Sequence, residues 1–320
     1  MSLNLVQKLF YKIFCVILSL FYSIAGGVVA PSTEDPIDVL NENTVRLTFA
    51  TVADPQVSNY MFGRYRIFEA ACMDIKNAEY DYDAVLLLGD VAENGLTEEY
   101  QLVLDGLSGI NTRYIAITGN HDIRLRLYSQ SSERFKEFAN ALNQDESMTE
   151  MHHSEVINGY KFITLGSDRT EFEETYLSEE QLAWLDDELH GENGNLTFVL
   201  CHQPLKLTHG LPDTWNSPSE TAGSVGKQND ELFDILKKYD NVVFLSGHLH
   251  TGFADFLYEE KEGVHLVNVP SFSIENKTGE YNEAGLGFIA EVYKDELIFR
   301  ARDFAKGVWL PEHDIKISIK

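Results

Sequence analysis

Cysteine is scarce: three in 320 residues, at Cys15, Cys72 and Cys201. Cys15 falls in an apolar N-terminal stretch, so two at most serve the folded chain. A single pair is no disulfide framework, and the fold has to rest on its core. Cys72 lies on a helical pattern and Cys201 on a strand, where a thiol packs as a small apolar group. Basic residues are also few, 25 Lys and Arg against 51 Asp and Glu, which leaves a formal net charge of −26. A field of that sign repels nucleic acid and anionic lipid, so a nucleic-acid polymer is not the expected partner. Phosphate esters remain open as substrates if metal ions supply local positive charge. No Gly-x-Ser-x-Gly elbow occurs and neither remaining cysteine looks reactive, which excludes serine and cysteine hydrolases. Fixed-period repeats and low-complexity tracts are absent, so the chain reads as globular.

Long apolar runs are confined to the first thirty residues. Lys8 and Lys12 precede the apolar run from Ile13 to Ile24, and Ser23 and Ala25 supply small residues at the spacing of a signal-peptidase site. Residues 1–25 are therefore read as a signal peptide, with the protein secreted or extracytoplasmic. The competing reading keeps the segment from Ile13 to Ala30 as an uncleaved anchor, a membrane tether through residues 1–30. Residues 26–43, polar, acidic and proline-containing, read as a linker, 44–305 as the folded domain and 306–320 as a C-terminal tail.

From Thr44 onward, apolar strand-like runs alternate with amphipathic helical patterns, which predicts an α/β fold. The run from Val45 to Ala53 ends in Asp54, with Gln56 two residues on. Ala84 to Leu88 ends in Gly89-Asp90, and Tyr114 to Thr118 in Gly119-Asn120-His121-Asp122. Leu196 to Leu200 leads to His202, and Val242 to Leu245 to Gly247-His248-Leu249-His250. Asp, Asn and Gly after one strand are ordinary turn residues. Five such ends carrying Asp, Asn and His form a pattern, because loops leaving the carboxyl edge of an α/β sheet converge on one crevice. The glycines at 89, 119 and 247 are read as allowing sharp turns before the ligands. Asn158-Gly159 predicts a hairpin and Ser178 with Gln181 a capping box. The later runs Val264–Val269, Phe288–Tyr293 and Leu297–Ala301 are expected to complete a second sheet. Asn195 and Asn276 begin glycosylation sequons.

In order, spacing and residue type these motifs resemble the calcineurin-like metallophosphoesterases, from about Thr44 to about Arg302. The resemblance implies a four-layer sandwich, two mixed β-sheets flanked by helices, with two divalent metal ions at one sheet edge. It implies that Asp90 bridges the ions, that Asp54 and His250 complete one site, and that Asn120, His202 and His248 complete the other. The chemistry fits, since two ions about 3.5–4 Å apart need a shared anion and enough ligands to leave room for water and substrate. Gln56 stands where the family usually has histidine. An amide oxygen there makes the first site oxygen-rich and suits manganese or magnesium better than zinc, with iron also open. An Asp-x-Gln first motif is similar to that of a branch that includes a manganese-dependent diphosphatase of ADP-ribose and CDP-alcohols. The implied activity is hydrolysis of phosphate esters by a metal-bound water, with small phosphodiester or nucleotide-type substrates first. His121 is implied to bind phosphate or protonate the leaving oxygen, and Asp122 to orient it. The alternative is a metal-binding interaction protein on a degenerate scaffold, which Gln56 alone favours. Arg124 and Arg126 read as surface cations or phosphate binders. His209 and Trp215 mark a long loop, Leu205 to Lys227, of a length that reads as a functional lid or a disordered segment, with Trp215 open to stacking on a base or sugar or to local packing.

Overall fold

The structure, a computed structural model, describes residues 44–192 and 194–319. The signal, anchor and linker readings of residues 1–43 lie outside the described residues. No helix among those described is long and apolar enough to cross a membrane.

The three predicted strands before residue 120 form β1 (Leu47–Val52), β2 (Ala84–Leu88) and β3 (Arg113–Ile117), paired in parallel. Both faces of parallel strands are covered, hence their continuous apolar runs. Between them run α1 (Phe62–Lys76) and α2 (Thr97–Leu107), with the short α3 (Asn120–Ile123) and then α4 (Tyr128–Asn143) after β3. The hairpin of β4 (His153–Ile157) and β5 (Tyr160–Thr164) turns through Asn158 and Gly159, both at positive φ, the conformation that an Asn-Gly type I′ turn needs. There follow α5 (Glu179–His190), β6 (Thr197–Leu200), α6 (Asn229–Leu236), β7 (Val242–Ser246), β8 (Tyr258–Lys261) and β9 (Val264–Asn268). At the start of α5 the Ser178 hydroxyl accepts from Gln181 N at 3.2 Å. The reciprocal half of the capping box is missing, because Gln181 Oε1 accepts from Gly166 N at 3.1 Å and Ser178 N donates to Asp168 Oδ2 at 2.9 Å instead.

Two expectations are corrected by the C-terminal strands. β10 (Leu286–Val292) and β11 (Glu296–Asp303) do not complete the second sheet. They return to the first, β10 pairing antiparallel with β1 through Phe49 opposite Ala290. Nor do residues 306–320 form a tail: β12 (Val308–Trp309) and β13 (Ile315–Ser318) both pair with β11 and bury Leu310 and Ile317. Among the described residues the first sheet has seven strands in the order β12-β11-β10-β1-β2-β3 with β13 also on β11, and the second has six, β4-β5-β6-β7-β9-β8.

The sheets face each other across one core that takes Phe49, Leu86 and Phe288 from the first and Phe162, Phe198 and Leu245 from the second. Phe49 meets Phe162 and Phe198 edge-on at 5.6 and 5.1 Å. A second core packs α1, α2 and α4 on the outer face of the first sheet, and a third packs α5 and α6 on the second. This is the expected sandwich of two mixed sheets between helices. Cys72 lies in the second core and Cys201 in the third, both buried and unpaired. Burial raises both thiols, Cys201 to about 12.

Candidate metal centre

The carboxyl ends of β1, β2, β3, β6 and β7 meet at one edge, and the backbone leaves them in a costly conformation. Asp54, Gln56, Asp90, His248 and His250 all have positive φ, from +37° at Gln56 to +73° at His248. Each costs about 1 kcal/mol or more outside glycine. Main-chain bonds hold the turns: Gln56 N donates to Asp90 O at 2.8 Å and Gly247 N to His202 O at 2.9 Å. Gly89, at φ +85°, turns as expected. Gly119 and Gly247 serve a different purpose, room for the ligands. A Cβ on Gly119 would stand 2.1 Å from Asp90 Oδ1 and one on Gly247 2.6 Å from Asp54 Oδ2.

Two groups of side chains converge there, and Asp90 belongs to both. Asp90, His202 and His248 bring ligand atoms within 4.8 Å of one another, as do Asp54, Asp90 and His250. His202 Nδ1 donates to the Leu88 carbonyl at 2.7 Å, which turns Nε2 inward, 3.3 Å from Asp90 Oδ2 and 3.7 Å from Asp54 Oδ1. Asp54 accepts from His248 N at 2.8 Å and meets His250 Nε2 at 3.1 Å. The Gln56 amide lies between the groups, its nitrogen 2.9 Å from Asp90 Oδ2 and 3.3 Å from His250 Nε2. A half-turn about its last torsion puts the amide oxygen in the same place. Asn120 Nδ2 donates to the Phe172 carbonyl at 3.1 Å, and its Oδ1 takes a long 3.4 Å contact from Gln203 Nε2.

The Nε2 atoms of His202 and His248 are buried and have no hydrogen-bond partner. Buried polar atoms are ordinarily satisfied, so two orphaned nitrogens beside the shared carboxylate fit one divalent ion held by Asp90, His202 and His248, with the Asp54, Asp90 and His250 group beside it for a second. Burial would raise the Asp90 carboxyl, but His202, His121 and His248 outweigh burial and hold it well below the usual range. Burial lowers His202, while Asp90 and Asp54 more than compensate and push it up to about 10. His248 is held well below its ordinary value by burial and by the neighbouring His202.

Of the two residues expected to act on the substrate, one is at the entrance and the other is not. His121 is partly exposed, with Nε2 3.9 Å from Asp90 Oδ2 and Nδ1 2.9 Å from the Glu93 carbonyl. Asp122 does not orient it. Its carboxylate turns the other way and accepts from the backbone of Val91, Ala92 and Gly119 and from the Tyr100 hydroxyl at 2.9–3.2 Å. Burial and the Asp90 charge push that carboxyl up to about 7 against the pull of its backbone donors. Asp122 ties the second and third motifs together, a structural role. Trp215 stacks on His248 at 4.5 Å, and His209 is buried away from the centre, with Nδ1 on the Phe256 carbonyl at 2.9 Å. Asn276 is buried, its amide donating to the Ser271 and Glu283 carbonyls, so its sequon is closed to glycosylation.

Several supporting residues carry no motif. Gln203 Nε2 reaches Asn120 Oδ1 at 3.4 Å and the Glu173 carbonyl at 2.8 Å. Asn268 donates to the Gly247 carbonyl at 2.6 Å and holds the turn of the two histidines, and the Ser271 hydroxyl caps the Asp54 carbonyl at 3.0 Å. Gln203 beside His202 was findable by adjacency. The others come from distant segments.

A shared carboxylate, histidines on both sides and strained strand-end turns form a ligand set suited to two adjacent metal ions on a two-sheet sandwich. The calcineurin-like phosphoesterase family model matches residues 47–252, and the chain belongs to that family. A probable glycerophosphodiester phosphodiesterase of Arcobacter nitrofigilis is 29% identical over 182 residues, 56% of this chain and 60% of that protein's length. A 3′,5′-cyclic-nucleotide phosphodiesterase of a Nostoc species is 26% identical over 235 residues, 71% of this chain and 79% of that one. The structure of a dimetal phosphatase from Danio rerio superposes with a TM-score of 0.63 at 13% identity, covering 87% of this chain and all of that one. At that identity the likeness is one of fold.

Proposed function

We propose that the protein hydrolyses small phosphodiesters at two divalent ions, with Asp90 bridging, Asp54, His250 and Gln56 on one ion and Asn120, His202 and His248 on the other. The observation that carries this reading is the pair of ligand groups sharing Asp90, with two buried histidine nitrogens unpartnered. When bound, such ions polarise the phosphoryl oxygens and acidify a water to near-neutral pH. The protein supplies the rest. The Leu88 carbonyl fixes the ring of His202 and Asp54 that of His250 while holding the His248 backbone N–H, and Phe172 and Gln203 fix the Asn120 amide. His121, doubly protonated with its Nδ1–H donating to the Glu93 carbonyl, presents Nε2–H to the leaving oxygen, gives it that proton and is left neutral. The relatives' names, glycerophosphodiester and cyclic-nucleotide phosphodiesterase, support a diester over a monoester. The amide at Gln56 favours manganese over zinc.

The test strips the full-length protein with chelator and follows hydrolysis of diesters and monoesters as manganese, magnesium, iron or zinc is restored. Manganese-restored diester hydrolysis, reduced at least a hundredfold by Asp90→Asn, is the expected result. Tight binding of two ions with no turnover on any ester would instead favour the interaction protein, with Gln56 as its cause.

A further inference from the structure

Several side chains around this centre are not used by the chemistry. Phe172, 65% exposed, and Phe62, 71% exposed, are large aromatic rings facing solvent on an otherwise acidic protein. Clustered exposed apolar side chains mark binding surfaces. Phe172 is tied to the centre, since its own carbonyl fixes the Asn120 amide at 3.1 Å. The Arg124 guanidinium lies 5.3 Å from the Phe172 ring centre, and its Nη2 is 3.0 Å from His121 Nδ1. Arg124 also has donors to spare: Nε is buried without a partner, and the Glu173 carboxylate stands off at 3.5 Å from Nη1. Leu125 and Leu127, both exposed, extend this apolar flank, and the segment is joined to the Phe172 loop by Thr170 Oγ1 donating to the Arg126 carbonyl at 3.4 Å. On the other flank Arg64, two residues into α1 from Phe62, pairs with Glu93 at 2.5 Å, and the Glu93 carbonyl meets His121. His121 therefore has the Arg124 cation beside it, and that cation lies against the exposed Phe172 ring.

We propose that Phe172, held by Arg124, is the stacking platform of a substituent subsite beside His121, which takes a planar aromatic ring on one ester arm, a nucleoside or aryl group, in preference to a polyol. This rests on the phosphodiesterase reading and narrows its substrate class. A ring laid on an exposed aromatic gains stacking worth about tenfold or more in affinity. A polyol such as glycerol gains nothing from an apolar face and loses water from its hydroxyls. Arg124 braces the Phe172 ring and draws an anionic substrate toward a protein whose net charge would repel it.

The full-length, manganese-loaded protein is assayed with thymidine 5′-p-nitrophenyl phosphate and with glycerophosphocholine, as wild type, Phe172→Ala, Phe172→Trp and Arg124→Gln. The expected result is an aromatic-over-glycerol ratio of kcat/KM that falls about tenfold in Phe172→Ala, mainly through KM, and is kept in Phe172→Trp, with Arg124→Gln lowering it less. In parallel, calorimetry gives the Kd of AMP and of glycerol 3-phosphate for the same proteins, and their ratio should shift by the same factor. A ratio unchanged within twofold in Phe172→Ala overturns the proposal. If the wild type turns over neither diester, the phosphodiesterase reading fails by itself. The Kd ratio then decides the subsite, and AMP bound no tighter than glycerol 3-phosphate overturns it.

Discussion

At the scale of single residues, His121 and Asp122 are neighbours with opposite duties. Four donors converge on the buried Asp122 carboxylate, so removing it leaves buried polar groups without that acceptor. Asp122→Ala should cost about 3 kcal/mol or more of stability, read as a lower urea midpoint. His121→Ala, at a partly exposed ring, should leave the midpoint within about 0.5 kcal/mol while lowering kcat. Equal destabilisation by both would contradict the division. The metal-ligand candidates were legible in the sequence because ion coordination restricts residue type, and Asp, Asn and His at five strand ends leave few alternatives. Asp122 was misread because adjacency to His121 does not say which way a side chain turns. On the first turn of α3 it faces back to Gly119 N and the β2 loop. Phe172 was invisible for another reason: its contact with Asn120 is through a backbone carbonyl from 52 residues away, and no side-chain chemistry announces it.

At the scale of elements, apolar runs gave most strands of both sheets, but not the polar β8 or the short β12 and β13, and sheet membership stayed hidden. Membership is set by pairings such as Phe49 with Ala290, which join distant segments and leave no local signal. The same long-range pairing turns the C-terminal stretch from a tail into sheet. Ile315-Lys316-Ile317-Ser318 alternates apolar and polar with period two, the mark of a half-buried strand. Ile317, buried beside Leu297, closes the end of the main core opposite β11. Ile317→Ala should therefore destabilise by about 2–4 kcal/mol, whereas a residue in a free tail would cost nothing. Urea titration of the variant distinguishes the two, and Lys316→Ala, on the exposed face of the same strand, is the matched control expected within about 0.5 kcal/mol.

For the whole molecule, the excess of 51 acidic over 25 basic residues sets up two opposing responses to acid. Protonating surface carboxylates relieves self-repulsion and favours the compact state. Buried neutral histidines act the other way. Burial, then the charge of Arg113, lowers His153 to about 4, and burial lowers His209 to about 4 despite the Phe256 carbonyl. An unfolded histidine titrates near 6.5. Between pH 6.5 and 4 the unfolded chain binds a proton at each that the native chain refuses, so stability falls as pH falls through that window and is flat above it. At pH 5 each histidine should cost about 2 kcal/mol relative to pH 7.5, from 1.5 units at 1.36 kcal/mol apiece. Total stability mixes this loss with the relief of repulsion, but a single substitution separates them. His209→Asn keeps a short amide able to donate to the Phe256 carbonyl and to adopt the positive φ of this position, and removes the titration. The drop in unfolding free energy between pH 7.5 and 5, measured by urea titration of the metal-free protein, should be about 2 kcal/mol smaller in this variant than in the wild type. An equal drop in both would mean that His209 takes up its proton in the native protein, and that acid sensitivity lies with the surface charge and the metal-centre histidines instead.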